Sequence, residues 1–136
     1  MSVAAEGEVV IETEGDIVSA RRAVREVAAQ TGFSSTDVTR IVTAASELAR
    51  NIFHYAGKGR MHWRCVEANE RRGLELRFRD EGPGIEDVNL ALQGGYSTGE
   101  GLGLGLPGAK RLMDEMEIQS KPGQGTTVTV RKWHNR

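Results

Sequence analysis

The chain has 136 residues, with 18 lysine or arginine residues against 19 aspartate or glutamate residues and a net charge of −1 at pH 7. Its 38% hydrophobic and 27% charged residues are typical of a folded globular protein, which excludes a disordered chain. The near-zero net charge disfavours a nucleic acid partner, and the absence of a run of about 18 apolar residues disfavours a membrane span. The single cysteine, Cys65, and a first segment unlike a signal peptide predict a cytoplasmic protein.

The first half of the chain predicts one short strand followed by two helices. Residues 1–8 are expected to be a short flexible N-terminus, and residues 9–136 to be a single domain. Val9–Ile11 predicts a strand, and Asp16 is expected to cap the first helix. Ser34 gives a second capping signal, and the apolar residues from Val38 to Ile52 recur at helical spacing.

The second half of the chain changes from a helical period to alternation. Met61–Val66 and Leu74–Asp80 each place apolar residues at every second position, which predicts an antiparallel hairpin with one buried face. Leu106–Met116 predicts a helix, a strand is expected from Ile118, and Thr126–Trp133 predicts the last strand. The order β-α-α-β-β-α-β-β favours an α+β two-layer sandwich.

Glycine is concentrated in one internal segment. Seven of the fifteen positions from Gly94 to Gly108 are glycine, and residues 101–108 lead into the predicted third helix. Consecutive free N–H groups at the start of a helix form a cradle for phosphate oxygens, although a plain linker is the alternative. A dinucleotide-binding loop is excluded because no strand leads into this segment, and a P-loop is excluded because no Gly-Lys-Ser/Thr follows.

Two polar side chains lie four residues apart on the second predicted helix. Glu47 and Asn51 fall on one line of that helix, beside its apolar stripe. They are either a solvated polar pair or a general base with an amide oxygen for Mg²⁺.

Two glycine-containing turns follow or precede strands. Asp80 ends a predicted strand and is followed by Gly82 and Gly84, so its carboxylate could accept a hydrogen bond from an amino group beside bare backbone. The alternative is a simple turn, and the same holds for residues 123–127 before the last strand.

The order and spacing of these segments resemble the GHKL ATPase superfamily, which includes gyrase, Hsp90, histidine kinases and MutL. Residues 47–51 resemble its N box, residues 80–84 its G1 box, residues 101–105 its G2 box and residues 123–127 its final Gly-x-Gly-Thr-Thr. The small size of the chain and residues 46–59 narrow the resemblance to the serine/threonine switch kinases of the bacterial stressosome.

The resemblance implies a Bergerat fold and a role for each matching residue. The fold would be a mixed, mostly antiparallel sheet covered by helices on one face. Glu47 would be the general base and Asn51 the Mg²⁺ ligand. Asp80 would bind the adenine amino group, with Gly82 and Gly84 shaping its pocket.

The resemblance also implies that ATP is the phosphate donor, and it implies which proteins the chain acts on. Gly101, Gly103 and Gly105 would hold the ATP phosphates in a lid, and Thr127 would lie near the adenine or its linked water. The substrate would be a serine or threonine of a STAS-domain stressosome protein, and the released kinase would activate a PP2C-type phosphatase.

Three other functions stay open at this point. Related small proteins of the superfamily are anti-sigma factors, although no sigma-docking surface can be named in this sequence. A histidine kinase catalytic domain is disfavoured because no phosphoacceptor helices are expected before Val9. A nucleotide-binding scaffold without transfer chemistry is disfavoured by the presence of Glu47.

Overall fold

The computed structural model describes residues 1–84 and 105–134. The elements follow in the order β1 (Ser2–Ile11), α1 (Glu14–Thr31), α2 (Ser35–Tyr55), β2 (Gly59–Ala68), β3 (Arg71–Asp80), α3 (Gly105–Leu112), β4 (Glu115–Ser120) and β5 (Thr126–Trp133). This is the predicted order. In these two ranges, no helix combines the length and the apolar character that a membrane crossing requires.

The five strands form one sheet in the order β1-β2-β3-β5-β4. All four pairings between the described strands are antiparallel, so the parallel component of the expected mixed sheet does not occur among them. Alternate residues of β3, Leu74, Leu76 and Phe78, are buried in one core together with the apolar stripes of α1 and α2. The α+β sandwich with helices over one face is confirmed.

The N-terminal boundaries differ from the prediction in two places. Strand β1 begins at Ser2 and not at Val9, because residues 2–8 pair with β2 at the edge of the sheet. Most of these residues are exposed, so their pairing leaves no hydrophobic alternation in the sequence. The N-cap of α1 is Thr13, whose side chain accepts a hydrogen bond from the N–H of Asp16. Asp16 is the third helical residue and completes a capping box.

The third helix is shorter than predicted. It ends at Leu112 and not at Met116, and β4 already begins at Glu115. Pairing with β5 takes over here, since Met116 lies opposite Val130 and contacts the core from a strand. The Nζ of Lys132 also donates a hydrogen bond of 2.9 Å to the carbonyl of Leu112, which satisfies an acceptor at the end of the helix.

The face of the sheet opposite the helices carries a buried ion pair. The side chain of Glu75 is 1% exposed, although it lies on the open face. Its Oε2 accepts a hydrogen bond of 2.8 Å from the Nε of Arg131, and its Oε1 lies 2.9 Å from the Nε of Arg64. The two arginine side chains therefore shield this carboxylate from water.

Candidate functional site

Asp80 is the last residue of β3, and its carboxylate is partly enclosed by backbone. Its Oδ1 accepts a hydrogen bond of 2.9 Å from the N–H of Gly82. Burial raises the pKa of Asp80 above its ordinary value, while hydrogen bonds from the backbone N–H groups of Gly82 and Thr126 oppose this shift. A half-buried carboxylate at the end of a central strand can accept a hydrogen bond from a ligand amino group.

The turn after Asp80 packs directly against the turn before β5. The N–H of Gly123 donates a hydrogen bond of 2.7 Å to the carbonyl of Pro83. A Cβ on Gly84 would lie 2.1 Å from the carbonyl oxygen of Lys121, and one on Gly125 would lie 2.2 Å from the carbonyl oxygen of Asp80. The glycines of the two predicted boxes therefore serve a common purpose, because they let two backbone turns touch.

The same turn also contacts the C-terminal end of α2. A Cβ on Gly82 would lie 2.6 Å from the Cβ of Ala56, the C-cap residue of that helix. A Cβ on Gly59 would lie 2.8 Å from the Cγ2 of Ile52 and 3.2 Å from the Cβ of Asp80. The helix that carries Glu47 and the strand that ends in Asp80 thus meet at this corner.

The threonine beside Asp80 is Thr126 and not Thr127. Asp80 pairs directly with Thr126 in the sheet, and Arg79 pairs with Thr127. Because neighbouring residues of a strand point to opposite faces, the side chain of Thr127 lies on the face opposite Asp80. The register therefore places Thr126 beside Asp80, and the expectation that Thr127 lies near the adenine or its linked water stays a prediction. The position of Thr126 directly after Gly125 is the feature of the sequence that could have indicated its place beside Asp80.

Glu47 and Asn51 lie on α2, upstream of that corner. The side chain of Glu47 is 10% exposed, and its Oε1 lies 3.0 Å from the Nη1 of Arg50. Asn51 follows one turn later, and it is partly exposed. The sequence analysis gave Arg50 no role, although an arginine three residues after Glu47 on a helix could have indicated an ion pair between the two side chains.

The oxygen donors on α2 fit a nucleotide-bound Mg²⁺. Within residues 1–84 and 105–134, no group of three or more histidine, cysteine, aspartate or glutamate side chains could hold a metal ion. Mg²⁺ usually takes one or two protein oxygens and completes its octahedron with phosphate and water. The amide oxygen of Asn51 would supply such a ligand.

The glycine-rich segment is described from its last part onward. Gly101 and Gly103 lie outside the described residues, while Gly105 is the first residue of α3. Pro107 lies in the first turn of this helix, where its missing N–H has no partner to lose. Helix α3, which begins at Gly105, packs against α2, the helix that carries Glu47.

Comparisons with known proteins show the family of the chain. The family model of the histidine kinase-like ATPase domain matches residues 11–132. The serine/threonine-protein kinase RsbT of Bacillus subtilis is 50% identical over 123 residues, which is 90% of this chain and 92% of RsbT. An anti-sigma F factor of Caldanaerobacter subterraneus is 33% identical over 86% of this chain and 85% of its own length.

A solved structure shares the fold. The SiaB–SiaC complex from Pseudomonas aeruginosa contains a chain that aligns with a TM-score of 0.54 at 13% identity, over 97% of this chain and 91% of that chain. At this identity the likeness concerns the fold alone. Because the family model matches residues 11–132, most of the chain, the chain belongs to the histidine kinase-like ATPase domain family.

Proposed function

We propose that this chain is a Mg²⁺- and ATP-dependent protein serine/threonine kinase of a bacterial stress-response switch. Its substrate is a serine or threonine on a STAS-domain stressosome protein, and after release it activates a PP2C-type phosphatase. It acts in the cytoplasm, where its one free thiol, Cys65, needs no partner.

The observation that carries the proposal is the nearly buried carboxylate of Glu47 on the helix that also presents Asn51. Arg50 holds this carboxylate at 3.0 Å, and a general base must be fixed in position in this way to reach a substrate proton. The carboxylate lies on the helix whose end contacts the Asp80 turn. A base and an amide oxygen on one helix, with an adenine acceptor at its end, match the needs of phosphoryl transfer.

The proposed step transfers the γ-phosphoryl group to a hydroxyl. The hydroxyl oxygen of the substrate forms a bond to the γ-phosphorus, the bond from that phosphorus to the β–γ bridging oxygen breaks, and ADP leaves. The hydroxyl proton passes to the carboxylate of Glu47. A bound Mg²⁺ supplies charge neutralisation at the phosphates, and Asn51 would hold it.

The remaining groups bind and orient ATP in this proposal. Asp80 accepts a hydrogen bond from the adenine amino group, and Gly82 and Gly84 let the turn approach the base. Gly101, Gly103 and Gly105 donate backbone N–H groups to the phosphates, and Gly105 does so from the start of α3. A positioned general base contributes about 10²–10⁴-fold to such a reaction.

The test is phosphate transfer to a STAS-domain protein encoded near this chain. The purified chain is incubated with Mg·ATP and that protein, and intact-mass spectrometry counts the phosphates added. We expect one phosphate with the wild type, and with Glu47→Gln, which should still bind ATP, a transfer rate lower by about 10²-fold or more. The matched control is Glu117→Gln, since Glu117 is 63% exposed on the open face of the sheet.

The outcomes separate the roles of Glu47. Transfer by Glu47→Gln at the wild-type rate would refute the general-base assignment. Loss of ATP binding together with transfer would show that Glu47 is structural. Fragmentation of the phosphorylated partner identifies the modified serine or threonine.

The second candidate function is an anti-sigma factor. The relative of this name at 33% identity favours it. Co-purification of this chain with a sigma factor, without phosphate transfer to a STAS-domain protein, would replace the kinase proposal.

A further inference from the structure

Arg50 is the charged partner of Glu47 in the described part of the chain. The Nη1 of Arg50 donates a hydrogen bond of 3.0 Å to the Oε1 of Glu47, three residues earlier on the same helix. The Oε2 of Glu47 accepts no hydrogen bond from the described residues. Arg50 thus holds one of the two carboxylate oxygens of Glu47.

A second ion pair on α2 has the same spacing, but its side chains are more exposed to water. Asp37 and Arg40 are also three residues apart, and their charged atoms lie 3.2 Å apart. The side chain of Asp37 is 26% exposed and that of Arg40 is 51% exposed, so water screens this pair. The Glu47 side chain is 10% exposed, so water can solvate its carboxylate far less if Arg50 is removed.

We propose that Arg50 is a positioning residue for phosphoryl transfer, which holds the Glu47 carboxylate in one orientation. Without the guanidinium, a mostly desolvated carboxylate would turn toward water. A base must lie within hydrogen-bond reach of the proton it accepts, and a misplacement of about 1 Å can cost up to 10²-fold in rate. The inference rests on the proposed function, since it gives Glu47 the role of base.

The experiment measures kcat, the Kd for ATP and the Mg²⁺ dependence of transfer for Arg50→Gln, with Arg40→Gln as the matched control. We expect Arg50→Gln to lower kcat by about 10-fold or more while the Kd for ATP and the Mg²⁺ dependence stay within twofold. Arg50→Lys, which keeps a cation on a shorter reach, should recover part of the loss. Arg40→Gln should leave all three quantities unchanged.

A double variant separates positioning from a structural role. If Arg50 acts through Glu47, adding Arg50→Gln to Glu47→Gln causes no further loss of the residual rate. If Arg50 only stabilises the helix, the two losses multiply. Should Arg50→Gln fail to fold, Arg50→Met keeps the aliphatic stem and replaces it in every comparison.

The failures of the two proposals are distinguishable. Full transfer by Glu47→Gln overturns the general-base assignment of the proposed function. Loss of transfer by Glu47→Gln, together with a wild-type kcat for Arg50→Gln, overturns the role of Arg50 alone. A shifted Mg²⁺ dependence in Arg50→Gln also overturns it, because Arg50 would then act on Asn51.

Discussion

Replacing Gly84 by alanine should separate two turns that must touch for Asp80 to keep its place. Gly84 has a φ of +78°, and its added Cβ would lie 2.1 Å from the carbonyl oxygen of Lys121. Gly123 has nearly the same φ, +77°, but a Cβ there meets nothing within 4 Å. The pair of substitutions therefore isolates the steric contact from the backbone cost that both share.

The expected magnitudes follow from these two terms. A left-handed conformation costs a residue with a Cβ roughly 1–2 kcal/mol, and this is the whole cost expected for Gly123→Ala. In Gly84→Ala the turns must also move apart by about 1 Å to reach a normal contact. That movement weakens the 2.7 Å hydrogen bond from Gly123 to Pro83, which is worth roughly 0.5–1.5 kcal/mol. We expect a total of about 1.5–3.5 kcal/mol for Gly84→Ala.

The assay is urea unfolding of the nucleotide-free chain, followed by circular dichroism, and ATP titration of both variants. Gly84→Ala should lose more stability than Gly123→Ala and should bind ATP more weakly, because the moved turn carries the N–H of Gly82 that orients Asp80. Equal losses of stability in the two variants, with equal affinity for ATP, would refute the idea that contact between the turns forms the site.

Two further substitutions test charged groups. Glu75→Gln should lower the free energy of unfolding by about 3 kcal/mol, because it leaves Arg64 and Arg131 without their buried partner. Glu117→Gln, on the exposed side of the same network, should lower it by under about 1 kcal/mol. Equal losses in urea unfolding would contradict the shielding of Glu75. Asp80→Asn should weaken ATP binding and yet raise the melting temperature of the nucleotide-free chain at neutral pH. Because burial raises the pKa of Asp80 in the folded chain, the wild type loses stability as pH rises from the ordinary value of 3.8 through the folded value, and Asn does not titrate. A melting temperature difference that is constant from pH 3.5 to pH 7, or an unchanged affinity for ATP, would contradict this assignment.

Several features of this protein could be predicted from the sequence because their causes are local. A helix shows its apolar stripe within its own residues, so the pattern after Ser34 predicted α2, and the Ser34 side chain does accept a hydrogen bond from the N–H of Asp37. Strand alternation likewise predicted the β2–β3 hairpin and its buried face. The resemblance to the family depended on residue types at short spacing, and the family model matches residues 11–132.

Other features depend on which segments meet. Residues 2–8 become a strand because β2 offers them backbone partners, and the segment from Glu115 leaves the helical pattern because β5 pairs with it. Neither strand start could be predicted from the residues of the segment itself, because backbone hydrogen bonds between strands are independent of side-chain hydropathy.

The site shows the same division. By itself, the sequence determined that Glu47 and Asn51 share a helix face and that Asp80 ends a strand before two glycines. The tertiary structure decided that Thr126, and not its neighbour, lies beside Asp80, because strand register assigns each residue to one face of the sheet. It also decided that Glu47 is nearly buried while Asp37 is not, which turns an ordinary spacing of three residues at Arg50 into a contact that can hold a base in place.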